Sequence, residues 1–309
     1  MCFPVMTRPR ADPVAGGPTI LLCVGATKAG TTWLYNHLSA HPDCHLRAIK
    51  ELHYFDTLES GAFERQLKVH TGFAQKLMRQ VDKAKGASRD RALQKLADVN
   101  DWAEVLDRRC EDIPAYLAYL EGGRGARPVM ADITPSYGML PEARLRGMAG
   151  MAPDVRFLYL LRDPVSRLWS QVRMMAARAA RAMDSVPDLA FAMLDDVLAG
   201  RRKGALERGD YAATLERLRA VAAPGRRLVL FQEELLSLPG LSRLCDWLDI
   251  RSAPADFGTR VLAGPELAMP EAQRARARSI LRPQYEYVAR HYAERLPASW
   301  RRNMGEDVT

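Results

Sequence analysis

Short apolar runs alternate with amphipathic stretches along most of the chain. Four of these runs predict buried β-strands, at residues 19–25 (TILLCVG), 128–133 (PVMADI), 155–161 (VRFLYLL) and 227–231 (RLVLF). The amphipathic stretches predict helices over about 31–40, where Pro42 stops the helix, at several places between 63 and 120, and from about Pro164 onwards. Strands that alternate with helices indicate an α/β fold, with a mostly parallel sheet and helices on both faces.

The pattern predicts one domain, over residues 18–309, without internal repeats. Residues 1–17 are rich in Pro, Gly and Arg and show no periodicity, which predicts a disordered N-terminal lead-in. No stretch reaches the ~18 apolar residues of a membrane span, and the N-terminus lacks the apolar run of a signal peptide. The five cysteines are odd in number and form no CxxC pair, which favours a reducing compartment. We therefore expect a cytoplasmic protein.

The balance of charges indicates an anionic ligand without identifying it. A net charge of +8 would suit nucleic acid or a membrane surface as well as a small anion. Only eight of the 45 basic residues are lysines, so a lysine near a predicted strand is more informative than an arginine. Lys28 and Lys50 stand out for this reason.

The first predicted strand runs directly into a glycine-bounded loop, GATKAGTT at residues 25–32, which opens a helix. Such a loop cradles a phosphate, because its backbone N–H groups and the positive end of the helix converge on the anion. Gly30 permits close approach of the anion, and Thr31 and Thr32 add hydroxyl donors. The alternative is an ordinary turn in which one of these threonines caps the helix.

The same loop nearly matches the nucleotide-triphosphatase pattern GxxxxGK[ST]. Thr31 stands where that pattern has its lysine, and Lys28 lies three places earlier. The lysine of the pattern reaches the β- and γ-phosphates, so its absence weighs against ATP or GTP. The loop instead favours a single 5'-phosphate that carries one further group.

A short polar segment, KELHYFD at residues 50–56, follows the first helix. If this segment is extended, Glu51 and His53 face the same side. A carboxylate and an imidazole on one face can form a proton-transfer pair. The alternative is that Lys50 and Glu51 form only a solvated charge pair.

The strand at 155–161 ends in the sequence RDPVSRLWS. Pro164 suits the first turn of a helix and Asp163 the cap before it, which leaves Arg162 at the carboxyl end of the strand. An arginine there can bind phosphate oxygens with both arms of its guanidinium group. The alternative is a helix cap in which Asp163 pairs with Arg167 one turn later. Two anion sites at the ends of two strands suit a nucleotide with phosphates at both ends of its ribose.

In this order, the segments TKAGTTWL, KELHYFD and RDPVSRLWS resemble the sulfotransferases that use 3'-phosphoadenosine-5'-phosphosulfate (PAPS). The resemblance is closest to the heparan-sulfate-type and bacterial branch. Weaker similarity, as in ERGDYAATLERL and RLVLFQEELL, extends it over about residues 19–250. The resemblance implies a P-loop-like fold and transfer of a sulfuryl group from PAPS to a hydroxyl or amine.

The resemblance also implies roles for the residues of these motifs. Lys28 would stabilise charge on the departing nucleotide, and Glu51 would be the general base, with His53 as a further catalytic residue. Asp56 would organise the same site, and Lys50 would assist the acceptor. The residues expected to bind PAPS are Lys28, Ala29, Gly30, Thr31, Thr32 and Trp33 in the loop, and Arg162 and Ser170 at the 3'-phosphate.

The acceptor side is less well defined by the sequence. The segment DITPSY resembles a motif that lines the acceptor, and Thr134, Tyr137 and the later Tyr211 are candidate acceptor contacts. Ile133 stands where heparan-sulfate enzymes usually carry a lysine, which weighs against a polysaccharide acceptor and predicts core packing at this position. We expect the helical region 57–127 to shape the acceptor site. A sugar, a lipid, a peptide and a small molecule all stay open as acceptors.

Two other functions fit parts of the pattern. A P-loop kinase would use ATP and Mg²⁺ and should carry the missing lysine. A protein that only holds a nucleotide or polyanion would not depend on Glu51. We expect PAPS and an acceptor as partners, with no nucleic acid. No metal is expected either, because the helix that would align His37, His41 and His45 is broken by Pro42. The sequence does not predict an oligomeric state.

Overall fold

The structure is a computed structural model that describes residues 17–180, 185–258 and 267–304. The lead-in predicted over residues 1–17 lies outside these ranges except for Gly17. Within the same ranges, every helix is too short or too polar to cross a membrane.

A five-stranded parallel sheet lies at the centre of the described chain, with the strand order β2–β3–β1–β4–β5. Four of the strands were predicted from their apolar runs, whereas β2 has only two residues and forms no pattern that a sequence could reveal. The strands are β1 (Thr19–Gly25), β2 (Cys44–His45), β3 (Val129–Ile133), β4 (Val155–Leu161) and β5 (Arg227–Phe231).

Helices flank this sheet, which confirms the predicted α/β class. The first helix ends at Ala40, directly before His41 and Pro42, as predicted. In the described ranges the helices are α1 (Thr31–Ala40), α2 (Tyr54–Ser60), α3 (Phe63–Lys83), α4 (Gly86–Asp107), α5 (Ile113–Glu121), α6 (Glu142–Ala149), α7 (Pro164–Ala179), α8 (Val186–Leu198), α9 (Gly204–Glu207), α10 (Tyr211–Val221), α11 (Gln232–Leu235), α12 (Leu238–Leu248), α13 (Glu271–Tyr292) and α14 (Ala298–Met304).

The core is densest around β1 and β4. Each residue of β1 is buried, and in β4 only Arg156 is partly exposed. Leu21 and Leu22 are neighbours in β1 and therefore point to opposite faces of the sheet, yet neither is exposed to solvent. Both faces of the sheet are thus covered, as in other parallel sheets that lie between helical layers.

The order of the strands brings three loops to one edge of the sheet. β3, β1 and β4 are neighbours, and Cys23 of β1 pairs in register with Ile133 of β3 and Leu158 of β4. The loops that follow these three strands therefore leave the sheet side by side. In open parallel sheets, ligands bind outside the carboxyl ends of the strands, at a point where the strand order reverses.

Two long helices, α3 and α4, form a hairpin within residues 57–127, the region predicted to be helical. α3 and α4 are joined by Ala84 and Lys85 alone and pack chiefly against each other. An aromatic cluster anchors this region to the core. Tyr54 stacks on Tyr116 with 4.9 Å between ring centroids, and Trp102 of α4 packs edge-on against Tyr54 at 5.8 Å.

We expect the stability of the protein to depend strongly on the packing of β4. Leu158 has no solvent exposure, so Leu158→Ala should lower the free energy of unfolding by ~2–5 kcal/mol, through lost burial and a cavity. Leu238→Ala makes the same chemical change at a side chain that is 70% exposed, and should change it by about 0.5 kcal/mol or less. Urea denaturation of the two variants measures both values, and equal values would contradict the described core.

Candidate active site

The loop between β1 and α1 has the geometry of an anion cradle. Gly30 precedes the helix in a left-handed conformation, with φ of 98°, and Lys28 is also left-handed, with φ of 70°. The first hydrogen bond of the helix runs from Leu34 N to Gly30 O at 3.1 Å. The amides of Thr31, Thr32 and Trp33 thus come before the first hydrogen bond of the helix. Amide N–H groups at this position have no acceptor within the helix.

This geometry bears on whether Thr31 or Thr32 caps the helix. The residue that caps α1 is Gly30, which has no side chain to bond the helix amides. The alternative in which Thr31 or Thr32 caps the helix is therefore wrong. Thr31 is buried and Thr32 is partly exposed, and both lie in the first turn of α1.

Positive charge is concentrated around Lys28. Burial lowers the pKa of its ammonium group, and the charges that lower it further are those of Arg162, Arg178, Lys50 and Arg173. The Nζ atom lies 3.7 Å from Met174 Sδ on α7. Every charge with a leading effect on Lys28 is therefore a cation, which leaves its ammonium group suited to an external anion.

Arg162 connects the loop after β4 to the loop after β1. Its Nη1 atom donates a hydrogen bond of 3.0 Å to Lys28 O, and its own carbonyl oxygen accepts a bond of 2.5 Å from the Tyr211 hydroxyl. Burial lowers the pKa of Arg162, as does the nearby charge of Arg173. Ser170 follows two turns into α7 and is partly exposed. The two predicted anion sites thus adjoin each other at the edge of the sheet.

The start of α7 follows the predicted pattern, except for one ion pair. Asp163 caps the helix by accepting a bond of 2.8 Å from Ser166 N, and Pro164 occupies the first turn. The alternative in which Asp163 pairs with Arg167 is wrong. The guanidinium of Arg167 is fully buried and instead donates to Gln171 Oε1 at 2.6 Å and to the carbonyl oxygen of Ala205 at 2.7 Å.

The segment predicted to carry the proton-transfer pair is not extended. Glu51 and His53 both have left-handed backbones, with φ of 64° and 56°. Their side chains nevertheless meet, with His53 Nε2 3.7 Å from Glu51 Oε2. On its other side, His53 Nδ1 lies 2.7 Å from Asp56 Oδ2, and Lys50 forms an ion pair with Glu51.

These contacts separate the pKa values of the two groups. Burial would raise the pKa of Glu51, but the contact with His53 and the charge of Lys50 outweigh it and hold the pKa at about 2. Burial would lower the pKa of His53, but its hydrogen bond to Asp56 and its contact with Glu51 raise the pKa to about 9. Near neutral pH the segment therefore holds a carboxylate beside an imidazolium, rather than a carboxylate beside a neutral ring.

The side chains of Thr134, Tyr137 and Tyr211 point into the protein. Thr134 Oγ1 accepts a bond of 2.9 Å from Leu52 N, and the Tyr137 hydroxyl accepts one of 3.0 Å from Tyr54 N. All three side chains are fully buried. Their burial favours a supporting role over the predicted contact with the acceptor. Ile133 is buried in the core at the end of β3, as predicted.

The hairpin borders this site through His70 on α3. Burial and the positive charge of His53 lower the pKa of His70 to about 4, so its ring is neutral. Neither of its ring nitrogens has a hydrogen-bond partner in the part of the chain that the structure describes. His70 could not be singled out from the sequence, because a lone histidine on an amphipathic helix carries no motif.

Two further features of the site went unpredicted. Arg173 and Arg178 on α7 are among the charges that lower the pKa of Lys28, and no motif in the sequence marks either residue. The indole N–H groups of Trp33 and Trp169 donate to the carbonyl oxygens of Asp256 (2.9 Å) and Leu267 (2.7 Å), on either side of residues 259–266. No motif marks those two carbonyl groups.

Comparison with known proteins identifies the class to which this fold and site belong. The sequence model that describes the sulfotransferase family matches residues 19–254, which is most of the chain. The chain therefore belongs to the sulfotransferase family, and the resemblance seen in its motifs is confirmed. A search of curated proteins finds no match.

A solved sulfotransferase structure supports this fold, and two others share a weaker similarity. The chain is similar to a sulfotransferase from Alicyclobacillus acidocaldarius, with 21% identity, a TM-score of 0.57 and coverage of 92% of this chain and 98% of that one. It is less similar to the sulfotransferase domain of the curacin biosynthetic pathway, with 19% identity, a TM-score of 0.44 and coverage of 80% and 77%. A third is the sulfotransferase domain of the Synechococcus PCC 7002 olefin synthase. It has 15% identity and a TM-score of 0.45, and the match covers 88% of this chain and 98% of that one.

His53 gives the free energy of unfolding a defined pH dependence. Its pKa is about 9 in the folded protein, against 6.5 for an unperturbed histidine. Its stabilising contribution is therefore fully present below pH ~6.5 and is lost as the pH rises through about 9. We expect the difference in unfolding free energy between the wild type and His53→Gln to be largest near pH 6 and to shrink by pH 9.5. Urea denaturation measures it, and a difference that grew with pH would contradict the ion-paired state of His53.

Proposed function

We propose that this sulfotransferase uses PAPS as its donor and transfers the sulfuryl group to a hydroxyl or amine of its acceptor. The observation that carries the proposal is the meeting of two cationic loops, one after β1 with Lys28 and one after β4 with Arg162. A nucleotide with a 3'-phosphate and a 5'-phosphosulfate carries anions at both ends of its ribose, and these two loops supply partners for both.

The residues of the first loop fit the 5'-phosphosulfate. The amides of Thr31, Thr32 and Trp33 lie at the positive end of α1, where backbone N–H groups bind phosphate oxygens. Lys28 supplies an ammonium group, and Ala29 and Gly30 present backbone without bulk.

The second loop fits the 3'-phosphate. Arg162 is held beside Lys28 by its hydrogen bond to the Lys28 carbonyl oxygen, which leaves other guanidinium N–H groups to bind phosphate. Ser170 is partly exposed on the helix that begins after Arg162, and its hydroxyl is a second donor for the same phosphate.

The transfer requires one new bond to sulfur and the loss of another. The acceptor oxygen or nitrogen attacks sulfur, and the bond from sulfur to the bridging oxygen breaks. The electron pair of that bond stays on the phosphate oxygen of the departing nucleotide. Lys28 and the amides of the loop stabilise the negative charge that develops there.

Glu51 takes the proton of the acceptor. Its pKa of about 2 means that the carboxylate is ionised at neutral pH and needs no activating base. Such a carboxylate is a weak base, so it gains the proton only as the acceptor forms its bond to sulfur and becomes acidic. His53, charged and bonded to Asp56, holds the carboxylate in place, and Lys50 forms an ion pair with it.

We expect the nucleotide preference of the protein to distinguish PAPS chemistry from kinase chemistry. Without metal, 3',5'-adenosine bisphosphate should bind at micromolar levels and ATP at least roughly tenfold more weakly, a gap of about 1.4 kcal/mol. Arg162→Ala should cost ~2–5 kcal/mol of bisphosphate affinity and leave 5'-AMP affinity nearly unchanged, with a smaller effect of Ser170→Ala. Calorimetry measures all of these affinities.

Arg290→Ala, on the exposed part of α13, is the matched control and should leave both affinities unchanged. A preference for Mg-ATP would contradict the proposed donor. Full discrimination of the 3'-phosphate in both site variants would instead remove Arg162 and Ser170 from the binding site.

We expect Glu51 and Lys28 to differ in the step that they affect. Glu51→Gln keeps the shape of the side chain but cannot accept the proton, so turnover should fall by about 10²- to 10⁴-fold with unchanged bisphosphate affinity. Lys28→Ala should lower both turnover and affinity, because the ammonium group contacts the nucleotide before and during transfer. Labelled PAPS with an acceptor found by screening alcohols, phenols and amines provides the measurement.

Glu104→Gln on the exposed side of α4 makes the same change away from the site and should behave as the wild type. Normal turnover of Glu51→Gln would exclude Glu51 as the base. Binding of the bisphosphate with no transfer to any acceptor class would favour a protein that only holds the nucleotide.

A further inference from the structure

The left-handed backbones of Glu51 and His53 require a cause outside their own segment. Positive φ is uncommon for residues other than glycine, and such conformations persist only where the surrounding structure holds them. Two hydrogen bonds provide this hold. The amide of Leu52, between the two residues, donates to Thr134 Oγ1 at 2.9 Å, and the amide of Tyr54, directly after His53, donates to the Tyr137 hydroxyl at 3.0 Å.

One buried carboxylate orients both of these hydroxyl groups. The Thr134 hydroxyl donates to Asp132 Oδ1 at 2.6 Å, and the Tyr137 hydroxyl donates to Asp132 Oδ2 at 2.9 Å. Because each hydroxyl hydrogen is directed at Asp132, each oxygen keeps its lone pairs for a backbone amide of the segment. Asp132 thereby fixes the direction in which Thr134 and Tyr137 can accept.

We propose that Asp132, through Thr134 and Tyr137, is a positioning network that sets Glu51 against His53 for sulfuryl transfer. The proposal rests on the proposed role of Glu51 in that transfer. The network lies at the end of β3, which neighbours the strand that carries the Lys28 loop. It therefore aligns the proton acceptor with the donor site through the sheet itself.

The members of this network act through other residues rather than on the substrate. Asp132 is 1% exposed, and Thr134 and Tyr137 are not exposed at all. An acceptor molecule cannot reach them without unfolding the segment that they hold. Ser136 adds a third link, because its hydroxyl donates to Asp56 Oδ2 at 2.8 Å and so supports the carboxylate behind His53.

Tyr116 offers a matched control within the same network. Its hydroxyl also donates to Asp132 Oδ2, at the same distance of 2.9 Å as Tyr137, and its ring is equally buried. Its hydroxyl is not bonded to an amide of the segment 51–54 within the described residues. Tyr116→Phe and Tyr137→Phe thus remove the same bond to Asp132, but only Tyr137→Phe also releases the segment.

The pKa of His53, measured by NMR titration, reports on the segment without any knowledge of the acceptor. We expect Tyr137→Phe and Thr134→Val to lower this pKa from about 9 by about one unit or more, as His53 loses its alignment with Glu51. Tyr116→Phe should keep the wild-type value. Thr134→Ser should also keep it, because it restores the hydroxyl. Affinity for 3',5'-adenosine bisphosphate should be the same in all four variants.

Transfer activity provides the second measurement. We expect kcat to fall by about 10- to 100-fold in Tyr137→Phe and Thr134→Val, since a small displacement of a reacting group costs rates of this order. The KM for the acceptor should change much less. Tyr116→Phe and Thr134→Ser should retain most of the activity.

Equal shifts of the His53 pKa in Tyr137→Phe and Tyr116→Phe, or no shift in either, would overturn the proposal. If Tyr137→Phe does not fold, the comparison of Thr134→Val with Thr134→Ser gives the same decision. The proposed function fails by a different result, namely normal transfer by Glu51→Gln. In that case the titration of His53 would still decide whether the network positions the segment.

Discussion

Repulsion between cations at one edge of the sheet is the constraint on which the site depends. Lys28 and Arg162 leave neighbouring strands and are held together by the hydrogen bond between the Arg162 side chain and the Lys28 carbonyl oxygen. Burial and like charges both lower the pKa of Lys28, so the free protein carries an unfavourable concentration of positive charge. The buried strands β1 and β4 provide the rigidity that keeps these groups in place. An anionic ligand relieves the repulsion, and the free energy released in this way contributes to its binding.

The acceptor side of the site has the opposite electrostatic character. There each charge already has a partner within the protein, in the chain of contacts that runs from Lys50 through Glu51 and His53 to Asp56. Burial alone would make both Glu51 and His53 neutral, and their contacts with Asp56, Lys50 and each other keep both charged. In the proposed function, the loops of Lys28 and Arg162 therefore attract the anionic donor, whereas the segment of Glu51 and His53 is electrically balanced and meets a neutral hydroxyl.

The sequence predicted what local patterns determine and missed what distant contacts determine. The strands, the glycine loop and the cap at Asp163 each follow from a few adjacent residues. The left-handed turns at Glu51 and His53 do not, because hydroxyl groups about 80 positions later impose them. The pairing of Asp163 with Arg167 failed for a similar reason. A carbonyl group on a later helix offers Arg167 a buried partner that helical spacing cannot reveal.

The hairpin of α3 and α4 bears on how the acceptor could be changed. The two helices contact each other far more than they contact the sheet, yet the charge of His53 acts on His70 of α3. If the hairpin shapes the acceptor site, as the sequence led us to expect, its substitutions would alter which molecule is sulfated while the strands that hold Lys28 and Arg162 stay intact. The choice of acceptor and the handling of the donor would then be inherited as nearly independent traits, and a laboratory could exchange one hairpin for another without rebuilding the edge of the sheet.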